Sequence, residues 1–502
     1  MTARIFPGLD GAPDQVDLVV VGLGVTGAGV ALDAASRGLS VLAVDAHDVA
    51  FGTSRWSSKL VHGGLRYLAS LQLRIAHESA VERGILMERT APHLTRPLPW
   101  LLPLTTSVSL TQATLASAAF RTGDLLRLGA RTSRDTLPRP RRVSRTEALR
   151  LAPALRASGL RGGLVNWDGQ LEDDARLVTC LARTAASYGA HVRTRVRVLE
   201  ATGTTATLRD ELTGETRTVT ARAVVNAAGV WSGDLVDEVR LRPSRGTHVV
   251  LRGETIPGLR SALTVPVPGS TSRYIFALPQ PEGTIYLGLT DEPVDGDIPD
   301  VPEPTEGEIG FLLDVVAAAL ERPLHRSDVI GAFAGLRPLL EADGSTADLS
   351  RKHAVLTSRS GVVTVVGGKL TTYRQMAEDA VDATGLATRP SRTRDLPLLG
   401  AAPREDLARL EEPPRLVRRF GTEARFVIDD AIEITGLPED ELVAPGPGGV
   451  TMAELVFGVT HEGAVDVDDL LDRRTRVGLV PQDRAAALPL AERALALAGA
   501  RA

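Results

Sequence analysis

The chain of 502 residues is 43% hydrophobic and 24% charged, with a net charge of −5. That is globular composition at a length that calls for two or three domains, and the acidic balance argues against a nucleic-acid partner. The single cysteine, Cys180, excludes an intrachain disulfide and accords with a reducing cytoplasm.

The opening stretch "MTARIFPGLDGAPDQ" has no apolar core of the kind a signal peptide needs. Residues 16–21, "VDLVVV", are β-branched and apolar and predict a buried parallel strand. "GLGVTGAG" follows at once, so Gly22, Gly24 and Gly27 satisfy G-x-G-x-x-G. The first glycine permits the tight strand-to-helix turn, the second admits a pyrophosphate to the backbone, and the third allows close helix–strand packing. "VALDAASRGL" predicts the helix whose free N–H groups would meet the phosphates, ending at Gly38. "SVLAVDA" predicts the second strand, which ends at Asp45, about 20 residues after the glycines. An acid there accepts from ribose hydroxyls and disfavours a 2′-phosphate, which leaves FAD or NAD.

Next comes "SSKLVHGGLRYL", residues 57–68, dense in side chains that bind polar ligands. The apolar "PLPWLLPLTTSVSL" is too short and too broken by proline to span a bilayer. "LTQATLASAAFRTGDLLRLG" has helical apolar spacing, and residues 121–150 carry nine arginines against Asp124, Asp135 and Glu147, a net of +6. A basic amphipathic segment in an acidic protein suits docking on anionic lipid. Further on, "TARAVVNAAGVW" and "GVVTVVGGKLTTYRQMAEDAV" repeat the strand–glycine–helix pattern, as expected of one sheet interrupted by insertions. After about residue 396 the chain is helical and charged, suited to capping the core or to forming a homodimer.

These motifs, with "YLGLTDE" and "AGLRPLL", resemble in order those of the FAD-dependent (respiratory) glycerol-3-phosphate dehydrogenase family. The resemblance implies an α/β fold: a Rossmann-like FAD-binding domain of the D-amino-acid-oxidase/glutathione-reductase type, a mixed-sheet α+β substrate domain and a helical C-terminal domain. The expected division is 1–100, 151–242 and 331–395 for FAD, 101–150 and 243–330 for substrate, and 396–502 for the tail. The implied reaction oxidises sn-glycerol 3-phosphate to dihydroxyacetone phosphate, with hydride to flavin N5 and electrons to a membrane quinone. Oxygen as acceptor, or an amino or hydroxy acid as substrate, are the alternatives.

Arg66, Tyr67, Arg337, Lys369, His248 and Thr371 are then expected at the substrate, because guanidinium and ammonium groups suit a phosphate dianion. Arg337 and Lys369 are also expected in the catalytic set, with Lys369 near the flavin N1/C2 edge. His248 and His62 are the candidate bases, an imidazole being suited to proton abstraction near neutral pH. Gly22, Gly24, Gly27 and Asp45 are expected at the adenosine half. Thr53, Ser54, Ser58 and Lys59 are expected along the pyrophosphate and ribityl, and Gly63, Gly64 and Leu65 at the flavin ring. Val196 resembles the position whose backbone meets adenine, and Gly229 and Gly368 mark further close approaches to the cofactor. Two departures from the family pattern stand out: Asp45 in place of a more usual glutamate, and Arg55-Trp56 in place of a small polar pair at the lip of the flavin site.

Overall fold

The computed structural model describes residues 3–64, 73–106, 108–270, 273–341 and 352–499. The chain shuttles between two large sheets before ending in a helical unit. The first sheet begins with β1 (Gln15–Val21), whose valines are buried on both faces, one against helices and the other against an apolar cluster that includes Val196, Leu208 and Val236. α1 (Val25–Ser36) follows the glycine turn, and β2 (Val41–Val44) returns parallel to β1 with Val19 opposite Leu42.

The chain then leaves this sheet. β3 (Leu60–Val61) and, after α2 (Leu73–Ile85), β4 (Thr95–Pro103) enter the second sheet. α3 (Leu110–Gly129) starts from a capping box in which Ser109 and Gln112 satisfy each other's backbone N–H groups. β5 (Gly163–Leu171) pairs antiparallel with β4 along its length, from Thr95 opposite Leu171 to Pro103 opposite Gly163. α4 (Asp174–Ser187) leads back to the first sheet through β6 (His191–Thr194), β7 (Val196–Ala201), β8 (Thr205–Asp210) and β9 (Thr216–Asn226).

A second excursion supplies β10 (Ser244–Arg252), β11 (Ala262–Pro266), β12 (Tyr274–Pro279), β13 (Thr284–Gly288), the covering helix α5 (Glu306–Ala317) and β14 (Val329–Arg337). The chain then returns with β15 (Ala354–Thr357), β16 (Val363–Val366) and α6 (Tyr373–Ala383). The parallel heart of the first sheet runs β6–β2–β1–β9–β16, and the second sheet runs β10–β13–β12–β11–β4–β5–β3 with β14 beside β10. One core fills the space between the first sheet and α1, α4 and α6, and another lies between the second sheet and α5. Sheet membership thus differs from the expected division at β3, most of β4, β5 and most of β14, which were assigned to the nucleotide domain but hydrogen-bond into the second sheet. β3 and β4 pair with β5, and β14 pairs with β10, all across long sequence gaps, and no local pattern announces such pairing.

The tail forms its own core from α7 (Pro414–Phe420), α8 (Ala424–Thr435), α9 (Met452–Thr460) and α10 (Pro481–Gly499). It is joined to the loop after β2 and to α4 by buried ion pairs: Arg474 to Asp48 at 2.8 Å, Arg419 to Asp173 at 3.0 Å and Arg176 to Glu462 at 2.9 Å. Stripping either partner from such a pair leaves an uncompensated buried charge, at a cost of about 3–5 kcal/mol. These pairs fix the tail to the core. Among the described residues no helix is long and apolar enough to cross a membrane.

Candidate functional site

A cleft of about 1670 Å³ opens between the two sheets. Its wall is continuous from the glycine turn after β1 to α3, and it exceeds the roughly 300–1,000 Å³ typical of one small ligand. At one end lies the glycine turn. Gly22 has φ +96°, and a Cβ there would stand 2.7 Å from the carbonyl oxygen of Ala227. A Cβ on Gly27 would stand 1.8 Å from the Gly22 carbonyl, so α1 packs onto β1 only through a glycine. Gly24 is the N-cap of α1 and brings no side chain to its free N–H groups; Ser54 Oγ accepts from Val25 N at 2.9 Å.

Asp45 accepts from the backbone N–H of Leu23 (2.7 Å) and of His47 (2.9 Å). Burial raises its pKa to about 6 despite these two donors, with Asp48 adding to the rise. The Val196 N–H donates to the Asp45 carbonyl at 2.8 Å, which draws β7 against the end of β2. The residues fit a dinucleotide: a backbone cradle that side chains would fill, an open helix N-terminus, and an acid at the ribose position. Gly22, Gly24, Asp45, Thr53, Ser54, Ser58, Val196, Gly229 and Gly368 all line the cleft, whereas Gly27 stands behind it. The Thr53 hydroxyl donates to the Leu336 carbonyl at 2.6 Å and so ties the loop to β14.

Lys59 is a correction. Its side chain is only 1% exposed, and Nζ lies 2.8 Å from Asp174 Oδ2 and 2.6 Å from the Arg55 carbonyl, not along the cleft. A buried ammonium needs a carboxylate more than a cofactor phosphate needs a further cation. Gly63 is a second correction. A Cβ there would stand 2.2 Å from Arg83 Nη1, so its missing side chain makes room for an arginine on α2. Gly63 and Gly64 are buried off the cleft wall, Gly64 with φ +78°. Leu65, Arg66 and Tyr67 lie outside the described residues. The unusual pair Arg55-Trp56 forms a stack: the guanidinium lies 4.1 Å from the Trp56 ring centre and its Nε donates to the Phe51 carbonyl at 2.9 Å. Trp56 continues the stack onto Phe333 at 5.9 Å and lines the cleft.

The two histidines differ in kind. His248, on β10, is buried, lies 4.8 Å from the Phe333 ring in a parallel stack, and shares a hydrogen of 2.8 Å reach between Nε2 and Ser58 Oγ. Burial, with Lys59 and Arg337 nearby, pushes its pKa down to about 3, so the ring is neutral. His62 is about a third exposed (34%) on the cleft wall, and its Nδ1 is hydrogen-bonded to Asp168 Oδ2. Its backbone N–H donates to Thr371 Oγ1 at 3.1 Å, which ties the turn before α6 to the His-Gly-Gly stretch.

Arg337, at the end of β14, reaches the cleft while its Nη1 contacts Asp291 Oδ1 at 3.1 Å and Ser244 Oγ at 3.2 Å. Lys369 Nζ donates to Ser79 Oγ at 2.9 Å, on the same cleft. Asp168 and Asp291, which line the cleft, and Arg83, which donates to Asp168 at 2.8 Å, are candidate residues that sequence reasoning missed. The signal for Asp168 is in β5, where Asn166, Asp168 and Gln170 alternate with other residues and all are buried. Polar residues at period two in a buried strand put a polar stripe on one sheet face.

A glycine cradle joined to a histidine-bearing cleft between two sheets, with Arg337 and Lys369 on its wall, fits a dinucleotide-dependent oxidoreductase. Residues 17–374 match the family model for FAD dependent oxidoreductases, and residues 391–501 match the C-terminal domain of alpha-glycerophosphate oxidase. The chain is 53% identical to glycerol-3-phosphate dehydrogenase 1 of Mycobacterium tuberculosis, over 93% of this chain and 92% of that one. It is 34% identical to the mitochondrial glycerol-3-phosphate dehydrogenase of Mus musculus, over 93% of this chain and 68% of that one. The glycerol-3-phosphate dehydrogenase of Bacillus halodurans, solved with FAD, superposes with a TM-score of 0.73 at 29% identity, over 97% of this chain and 92% of that one. The chain belongs to the FAD-dependent glycerol-3-phosphate dehydrogenase family, and its cofactor is FAD.

Proposed function

We propose that this enzyme oxidises sn-glycerol 3-phosphate to dihydroxyacetone phosphate and passes the electrons to a quinone. The observation that carries the reading is the meeting of Arg337, Lys369 and His62 on one cleft wall with the FAD cradle. FAD, when bound, would supply the two-electron oxidant for the C2 alcohol. Arg337 and Lys369 bind and orient the phosphate; Asp291 and Ser244 hold the Arg337 fork from behind. His62 Nε2 takes the proton of the C2 hydroxyl. His248 stays neutral and holds Ser58 in place, because its buried ring is too weakly basic for that proton. The relatives named as glycerol-3-phosphate dehydrogenases support the choice of substrate.

Under anaerobic conditions glycerol 3-phosphate should bleach the bound FAD, whereas glycerol, lactate and amino acids should not. A folded, yellow protein that glycerol 3-phosphate leaves oxidised would refute the assignment. Arg337→Ala should raise KM about tenfold or more, since a charged hydrogen bond contributes about 1.5–3 kcal/mol. Steady-state kinetics that return an unchanged KM would remove Arg337 from the phosphate site.

Asp45 gives a pH signature. Ribose hydroxyls donate best to an ionised carboxylate, and its pKa of about 6 means that the ionised fraction falls as pH drops through that value. FAD should therefore bind more weakly at pH 5 than at pH 7, by about tenfold for a pKa near 6. Asp45→Asn should flatten that slope in a fluorescence titration of the apoprotein.

Quinone as the acceptor is supported by the apolar stretch of wall formed by Leu102, Leu115, Phe120, Tyr274 and Phe276, which reaches α3 from the Trp100–Phe276 contact at 4.8 Å. On α3, Leu110, Leu115 and Leu125 are 74%, 64% and 66% exposed, and Arg121, Arg131 and Arg134 nearby are exposed as well. These support peripheral docking on anionic lipid. The basic face is smaller than the count of arginines implies, since Arg127 is buried against Asp124 at 2.7 Å and Arg141 pairs with Glu147. Co-sedimentation with anionic vesicles should fall when Leu115 and Leu125 are both changed to Ser, and binding that does not change would exclude α3. Turnover with a soluble quinone analogue should exceed oxygen uptake.

A further inference from the structure

We infer that Asp168 is the positioning residue for proton removal: with Arg83 behind it, it holds His62 in the one tautomer and orientation that points a basic nitrogen at the substrate. The inference rests on His62 as the base. It concerns what makes His62 competent rather than whether it acts.

The geometry is specific. Asp168 lies on β5, its side chain 1% exposed, and both of its oxygens accept hydrogen bonds. Oδ1 accepts from Arg83 Nη1 at 2.8 Å, from Gly63 N at 3.1 Å and from Gly169 N at 3.0 Å. Oδ2 meets His62 Nδ1. An ionised carboxylate can only accept, so Nδ1 must carry the hydrogen, and Nε2 of the neutral ring is left with its lone pair. His62 is on the cleft wall, so that lone pair belongs to the substrate side.

Arg83 reaches Asp168 only because residue 63 has no side chain: a Cβ there would overlap its guanidinium. This gives the glycine after His62 a purpose unrelated to the cofactor. Burial works to raise the Asp168 pKa, but His62 and Arg83 lower it by more, and the carboxyl stays well below the usual carboxylate range. The groups facing the pair are Arg83 from α2, Thr371 Oγ1 at the His62 N–H, and the Trp100 ring, 6.1 Å from the imidazole centre; Lys369 and Arg337 line the same cleft. When the C2 O–H bond breaks, its proton forms the Nε2–H bond. The imidazolium so made then lies against a carboxylate already in place, so little has to reorganise.

The test is a double-mutant cycle in the FAD-loaded enzyme, read by stopped-flow bleaching with saturating glycerol 3-phosphate. Asp168→Asn keeps the shape and removes the charge. It should slow bleaching about 10²–10⁴-fold, the range over which a positioned acid–base group acts, with substrate affinity nearly unchanged. His62→Gln should do the same. The double variant should be no slower than His62→Gln alone, because Asp168 acts through His62; purely structural damage would add instead.

A readout that needs no flavin is the downfield imidazole N–H proton resonance of the apoprotein, which should be lost in both single variants. If Asp168→Asn does not hold flavin, Asp168→Glu and the same cycle replace it. An additive double variant, or an Asp168→Asn enzyme with the wild-type rate, overturns the inference while leaving His62 as base. A His62→Gln enzyme that bleaches at the wild-type rate overturns both.

Discussion

His62→Gln is expected to slow anaerobic bleaching of the bound FAD by glycerol 3-phosphate by about 10²–10⁴-fold, with little change in substrate affinity. Glutamine keeps a polar side chain of similar reach but has no basic nitrogen. The effect should therefore fall on the proton-transfer step and not on the fold. His248→Gln is the contrast. That ring is buried, neutral and bonded to Ser58, so its replacement should disturb FAD binding and stability first, through the stack on Phe333 and the loss of the Ser58 contact. Stopped-flow traces of the two variants separate the roles. If the His248 variant keeps its flavin and its stability but loses only the bleaching step, the assignments of the two histidines are reversed.

Gly27→Ala is the second large effect. The added methyl would sit 1.8 Å from the Gly22 carbonyl oxygen and 2.9 Å from its carbon, both backbone atoms of the turn that would cradle the pyrophosphate. Overpacking of this kind costs about 1–3 kcal/mol even where neighbours can shift, and here the neighbour is main chain that also shapes the cofactor site. The variant should melt earlier, and whatever is folded should purify with less flavin. Absorbance of the purified protein and a thermal melt with and without added FAD check both halves. A Gly27→Ala protein with full flavin content and an unchanged Tm would refute the close-packing account of the third glycine.

Much of the site was legible because it is local. The strand, Gly22, Gly24, Gly27, the helix and Asp45 follow one another within a single βαβ unit, and each residue type answers a constraint from its immediate neighbours. His62, Arg337 and Lys369 were legible as motif members, and the fold does bring them to one cleft. Lys59 was misjudged for the opposite reason. Its role depends on Asp174, a residue 115 positions away that the fold carries beneath the loop. Gly63 was assigned to the flavin because a paired glycine suggests a close ligand, yet the group that approaches it is Arg83.

What the sequence determined by itself was the nucleotide-binding unit, the FAD-linked family and the types of side chain available for the chemistry, since these are written in short-range spacing. Only the tertiary structure decided which of two histidines has a carboxylate behind it, which cations face the cleft and which are spent on buried pairs, and which strands belong to which sheet. The physical reason is that charge inside a protein takes its meaning from its partner. Asp168 with His62, Asp174 with Lys59, and Asp48 with Arg474 are each joined across about a hundred residues or more, and desolvation makes every one of those pairings obligatory.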